Sequence, residues 1–315
     1  MWMVDKVPDM STIEKIILVT GSTGTQGYAV AQALLKSGNA VRINVREASR
    51  RSANVLQLEQ AGAQLMIADM EDEASLEVAM QGVYGLFSVQ AMDDGTGSER
   101  RHADNLARAA KKAGVQQAVH VSASRTGDYE SFPGWGEGKW NEEYWTDKRY
   151  AENAIINAGF NYWTILRPTF FMDNFLPPKA PFMYAGLENG RIAVVFERDK
   201  KLQFIAAADT GAFAAAAFTD PERFNQKFID LAGDELTIGK IASEISKVTG
   251  KTVEVQYLTE QEAVNNGMFG PLANYQAWTN AAGYMVDIDR LSSYGIPLTS
   301  FRAFLEKNKD LLNSK

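Results

Sequence analysis

The sequence predicts an α/β fold: a doubly wound parallel sheet followed by a smaller α+β unit. Three observations predict it. Ile16-Ile-Leu-Val19 is an apolar run stopped by Thr20-Gly21, the pattern of a strand buried on both faces. Gly21, Gly24 and Gly27 then sit three apart, and Tyr28–Lys36 repeats its apolar residues at helical spacing. Strand-like and helix-like stretches go on to alternate five times up to residue 121, which argues for parallel strands with helices packed on the sheet.

The glycines have separate physical uses in such a turn. Gly21 permits the sharp bend, Gly24 lets the backbone approach a diphosphate, and Gly27 lets helix and strand pack closely. The free N–H groups at the start of the helix carry partial positive charge and suit an anion. A turn with no ligand is the competing reading, because glycines also mark ordinary loops.

The totals narrow the field. The chain has 315 residues, 45% hydrophobic and 23% charged, enough for one large domain or two ordinary ones. A net charge of −7 gives no basic field to collect nucleic acid or an anionic membrane, so neither partner is expected. Zero cysteines exclude disulfides, thiolate metal sites and cysteine nucleophiles, and two histidines are too few for a His-rich metal site. No metal is expected. Residues 1–14 lack a basic n-region and a long apolar core, so a signal peptide is not expected; a frayed start or a strap over a neighbouring surface is. A cytoplasmic location fits these features.

After the first helix, Val41–Val45 alternates as a second strand and Arg46 follows at once. An acidic residue at this place would bind ribose hydroxyls; a guanidinium fork here, with Arg50 a turn further on, suits a 2′-phosphate instead. NADP(H) is therefore expected over NAD(H), the alternative being a solvated helix start. Helix 52–61 leads to strand 64–68 and Asp69, which meets an adenine amino group or caps the next helix. Helix 73–80 and strand 85–89 follow, and the tail Gln90-Ala-Met92 borders the cofactor at the carboxyl edge of the sheet. Helix 98–113 carries His102, read as a surface residue, and strand 117–121 carries His120, read as a hydrogen-bonded core or edge residue.

Strand 117–121 runs into Ser122-Ala-Ser124, then an aromatic loop 125–141, then a helix from Glu142 to Ile156. Tyr144 and Lys148 are four apart and share a helix face. An ammonium beside a phenol lowers its pKa, so Tyr144 could give a proton to a carbonyl oxygen as hydride arrives. A hydroxyl of Ser124 or Ser122 would hold the same oxygen. The competing reading is a packed tyrosine and a solvated lysine.

These residues carry a family resemblance. Val19-Thr-Gly-Ser-Thr-Gly-Thr-Gln-Gly27, Arg46, Lys148 with Ala151-Glu152, Leu166-Arg-Pro-Thr-Phe-Phe-Met-Asp-Asn174 and Phe175-Leu-Pro-Pro-Lys-Ala-Pro181 resemble the NmrA-like group of atypical short-chain dehydrogenase/reductase proteins. The resemblance runs from about residue 14 over nearly the whole chain. It implies a Rossmann-type NADP(H)-binding domain over 14–168, rejoined by 203–235, and a substrate domain over 169–315. By resemblance Gly21, Thr23, Gly24, Thr25, Gln26 and Gly27 line the diphosphate, and Arg46 meets the 2′-phosphate. Lys148 meets the nicotinamide ribose, and Pro168, Phe170 and Phe171 the nicotinamide end. Members of this group either reduce quinones, dyes, imines or carbonyls, or sense the dinucleotide and regulate a partner. Retention of Tyr144 in register with Lys148 tips the expectation towards an NADPH-dependent reductase of a small substrate. The alternative is a non-catalytic NADP(H)-sensing regulator acting through a protein partner; separately, the expected partners are a small-molecule substrate and a homodimer or protein partner.

The remaining elements are expected to be strands at 161–166, 190–196, 202–205, 228–231 and 253–257. Helices are expected at 210–218, capped by Asp209, at 237–248, from Thr259, and at 298–312. The aromatic segment 266–284 walls a substrate pocket, packs as core, or forms a dimer surface.

Overall fold

The computed structural model describes residues 15–93 and 95–313, so the expectation for residues 1–14 lies outside the described residues. The first half runs β1 (Ile16–Val19), α1 (Thr25–Lys36), β2 (Ala40–Val45), α2 (Ala53–Gln60), β3 (Gln64–Ile67), α3 (Glu73–Ala79), β4 (Val83–Ser88), α4 (Ser98–Lys112), β5 (Gln117–Val121), α5 (Glu142–Asn157) and β6 (Tyr162–Pro168). The second half runs β7 (Phe170–Phe171), α6 (Ala180–Met183), β8 (Arg191–Val194), β9 (Lys201–Ile205), α7 (Ala207–Thr219), α8 (Pro221–Phe224), β10 (Lys227–Leu231), β11 (Asp234–Thr237), α9 (Ile238–Thr249), β12 (Glu254–Tyr257), α10 (Glu260–Asn265), α11 (Gly270–Ala281), α12 (Ile288–Leu291), α13 (Phe301–Lys307) and α14 (Lys309–Asn313).

The α/β fold is built on a seven-stranded sheet of order β3-β2-β1-β4-β5-β6-β10. Every neighbouring pair in it is parallel. The chain enters at β1, winds out to β3, and returns to β4 on the other side of β1. That reversal opens a crevice beyond the carboxyl ends of β1 and β4. Both sheet faces are covered, which is why the strands read as continuous apolar runs. Ile17, Val19, Val30, Leu34 and Phe213 fill one core, under α1 and α7. Leu18, Leu86, Leu106 and Ile155 fill the other, under α4 and α5. Each such side chain contributes roughly 1.5–3 kcal/mol on burial.

A second core lies around the sheet β11-β9-β7 and the pair β12–β8, with α9 and α13 packed on it. Phe175, Phe204, Ile241 and Phe301 are buried there. Its helices begin where the sequence supplies caps: Thr237 accepts from the Lys240 amide, and Thr259 and Glu262 form a reciprocal capping box. Two expectations need correction. Asp209 lies inside the first turn of α7 and binds Thr299, accepting from its amide and its hydroxyl at 2.7 Å each. It ties α7 to the segment before α13 instead of capping. The C-terminal helix is two short helices, because Asn308 leaves helical geometry (φ −107°) and returns its side chain to the Phe304 carbonyl. Among the described residues, no helix is long and apolar enough to cross a membrane.

Candidate active site

At the end of β1 the Thr20 hydroxyl accepts from the Val89 amide at 2.8 Å and donates to its carbonyl at 3.0 Å. This pair fixes the two strand ends that flank the crevice. Gly21 then turns the chain at φ +64°, where a Cβ would also lie 2.6 Å from Val89 Cγ1. The Gly24 amide closes the turn on the Gly21 carbonyl at 2.9 Å. Gly27 lets α1 lie on the turn: a Cβ there would meet the Thr20 and Gly21 carbonyls at 2.4 Å. No side chain caps α1, and its first turn holds no acid. Its leading amides face the crevice with no competing anion.

The crevice has a volume of about 560 Å³. Gly21, Thr23, Gly24, Thr25, Gln26 and Gly27 form one wall of it. Arg46, Asp69 and Gln90 form others. Arg46 is exposed, and its guanidinium makes no ion pair among the described residues. Arg50 does not line the cavity; it sits beside Glu47, 3.8 Å away, both in solvent. Asp69 accepts from the Glu71 amide at 3.1 Å, and Asp72, not Asp69, caps α3. Gln90 donates to Ser88 at 2.8 Å and leaves its buried Oε1 without a partner. Gln26 Oε1 is likewise buried and unpartnered. Orphaned acceptors of this kind call for ligand donors such as ribose hydroxyls or amide N–H groups, while the uncapped helix start beside them fits a phosphate. His102, expected at the surface, lines the crevice, with Nε2 3.0 Å from Glu71 and Nδ1 buried without a partner.

The second group of predicted residues lies outside this cavity. Asn141 caps α5 by accepting from the Tyr144 amide. Lys148 Nζ lies 5.5 Å from the centre of the Tyr144 ring. Its charge is answered elsewhere: Nζ donates to Glu99 Oε1 at 2.7 Å, and Glu99 is 1% exposed. Burial pulls the Lys148 pKa down, but Glu99 outweighs it and holds the ammonium charged. The Tyr144 phenol is pushed up, first by burial and further by Glu99, against the opposing pull of Lys148. The expected lowering is therefore reversed: burial, with Glu99 adding to it, outweighs the pull of the ammonium. Glu99, which the sequence reading overlooked, sits in the first turn of α4 just after Gly97.

The serines are occupied too. Ser122 donates to Thr126 Oγ1 at 3.2 Å, and the Ser124 hydroxyl binds the Asp230 carboxylate on β10. Ala123 between them packs on the aromatic cluster that adjoins Tyr144, so alternation turns both hydroxyls away from it. Neither lines the crevice. Pro168 ends β6, and Phe170 is buried in the second core, 5.1 Å from Tyr275 and 5.4 Å from Tyr284. Phe171 packs against the core under α1 and α7. The aromatic loop and segment 266–284 pack together: Trp278 lies 5.2 Å from Phe132 and 4.7 Å from Trp145. His120 is buried and hydrogen-bonded to Ser88, its pKa lowered to about 3 by burial and then by Lys148. The carboxylates of Asp93, Glu143 and Asp147 approach one another, but Arg100 pairs with Asp147 and Ser98 binds Asp93.

A doubly wound parallel sheet with a glycine turn, an uncapped helix start and a crevice at the strand reversal defines a dinucleotide-binding protein class. The NmrA-like family model matches residues 13–296, and the chain belongs to that family. Quinone oxidoreductase 2 of Escherichia coli strain K12 is 29% identical over 295 residues, covering 90% of this chain and 96% of that one. A solved NADPH-dependent quinone oxidoreductase from Escherichia coli, complexed with NADPH, superposes with a TM-score of 0.74 at 26% identity, covering 93% and 99% of the two chains. NmrA, a negative transcriptional regulator solved in complex with NAD, has a TM-score of 0.72 at 18% identity and covers 94% and 95%; that likeness is one of fold.

Proposed function

We propose that this chain is an NADPH-dependent reductase acting on a small quinone, conjugated carbonyl or other aromatic acceptor. The observation that carries the reading is the crevice itself: an uncapped α1 faces it, and an unpaired Arg46 stands on its wall. The quinone-reducing relative, similar over nearly the full length of both chains, supports it. Bound NADPH supplies hydride. The first-turn amides of α1 hold the diphosphate, Arg46 the 2′-phosphate, and Asp69 and Gln90 the polar edges of the two nucleosides. Tyr144 keeps its proton at neutral pH and is the candidate donor to an oxygen that gains charge. Lys148, anchored by Glu99, fixes the helix face that presents it.

The test is loss of NADPH absorbance with purified protein against a panel of quinones, azo dyes, aldehydes and aromatic ketones. Acceptor-dependent oxidation by at least one is the expected result. One observation favours a second reading, an NADP(H)-sensing regulator with a protein partner: both serines and Lys148 are already committed to other groups. Saturable NADPH binding with no consumption for any acceptor, and partner binding that depends on the dinucleotide, would decide for the regulator.

A further inference from the structure

Among the described residues, every one that walls the crevice comes from residues 21–102 except Lys179. It precedes α6, in a segment held to the second core by buried Phe175, Leu176 and Tyr184. Its backbone is fixed: the amide donates to Leu176, and the carbonyl accepts from Phe182 and Met183. Its ammonium makes no hydrogen bond or ion pair among the described residues. Burial lowers its pKa and the field of Asp173 opposes this, but the Asp173 carboxylate is bound to the Ala207 amide. A half-buried basic residue thus lines a cavity that the uncapped start of α1 also walls. Arg46 and His102 are the other cationic or titratable basic side chains on the cavity wall, and His102 is already beside Glu71.

We infer that Lys179 is a diphosphate-binding residue that the second core delivers across the crevice, opposite the α1 amides. The inference rests on the dinucleotide-binding reading above and extends it. A diphosphate carries two negative charges, and the helix start alone supplies partial charge from one side. An ammonium opposite it completes the neutralisation and excludes water from that face. Because Lys179 is rooted outside the large sheet, its bond also couples dinucleotide binding to the second core.

The test is titration of the full chain, unaltered and as Lys179→Gln, with NADPH, ADP-ribose and adenosine 2′-monophosphate. ADP-ribose keeps the diphosphate and lacks the 2′-phosphate; the monophosphate has the opposite pattern. Lys179→Gln is expected to weaken NADPH and ADP-ribose about tenfold or more, to make their binding less sensitive to salt, and to leave the monophosphate unchanged. Lys179→Arg is expected to recover most of the loss. Arg46→Ala should weaken NADPH and the monophosphate and leave ADP-ribose unchanged. Unchanged NADPH and ADP-ribose affinity in Lys179→Gln overturns the inference while the dinucleotide reading stands, and a raised KM alone would assign the lysine to an anionic substrate instead. Equal weakening of all three ligands also overturns it, as a loss of fold. If the unaltered chain binds neither NADPH nor ADP-ribose, the dinucleotide reading falls and the inference with it.

Discussion

Gly27 and Gly24 differ in what they have room for, and the difference predicts two distinct phenotypes. A Cβ at Gly27 would stand 2.4 Å from the carbonyl carbon and oxygen of Gly21 and from the Thr20 oxygen. Ordinary contact is about 3.5–4 Å, so α1 must withdraw from β1 by about 1 Å. Overpacking of this kind costs about 1–3 kcal/mol. At roughly 2–4 °C per kcal/mol, Gly27→Ala should lower Tm by about 5 °C. The same displacement carries the first-turn amides away from the phosphate position, and NADPH affinity should fall about a hundredfold. At Gly24 the added Cβ meets only the Gly21 oxygen, at 3.4 Å, and the backbone (φ −95°, ψ 173°) accepts alanine. Gly24→Ala should cost the fold no more than about 1 kcal/mol, since alanine is a poorer helix cap than glycine. Its methyl nevertheless occupies the exposed face offered to the diphosphate, so affinity should drop about tenfold. Thermal unfolding by circular dichroism and calorimetric titration with NADPH read the two effects separately. A Gly27→Ala protein with the original Tm and the original Kd would refute the close-packing argument.

Arg46→Ala should weaken NADPH about tenfold or more and leave NADH nearly unchanged, measured as two Kd values; equal losses would remove Arg46 from cofactor choice. Tyr144→Phe should lower turnover of an aldehyde or ketone about tenfold or more with NADPH affinity unchanged, and full turnover would exclude it as the proton donor. Any reductase activity of the intact protein should show no alkaline activation near neutrality from Tyr144, because its phenol is pushed up. His120 has a native pKa of about 3 against an ordinary 6.5, so the unfolded chain takes up the proton first on acidification. Its contribution is complete above pH 6.5, decays below it, and is gone by pH 3. Between pH 7 and pH 5 the intact protein should lose about 2 kcal/mol relative to His120→Gln in urea unfolding. A pH-independent gap would contradict this assignment.

The sheet and the nucleotide wall were legible because both depend on neighbours in sequence. β1 and β5 occupy the runs their apolar pattern marks, and the glycine turn needs only the strand before it and the helix after it. The residues around Tyr144 were less legible because their partners are remote. Lys148 shares a helix face with Tyr144, but the acid that takes its charge lies on α4, and nothing in the spacing points to Glu99. Ser124 follows a strand as a catalytic serine would, yet Asp230 on β10 claims it. Lys179 sits in a proline-rich stretch with no periodicity, where only the crossing of the chain over the crevice reveals it. Glu99 did leave a trace: an acid in a first helical turn just after a left-handed glycine.

The measurement closest to the central claim is calorimetric titration of the full chain with NADPH, repeated as a thermal shift. One saturating site per chain and a raised Tm are predicted. No heat of binding and an unmoved Tm would mean that the crevice between β1 and β4 does not hold a dinucleotide.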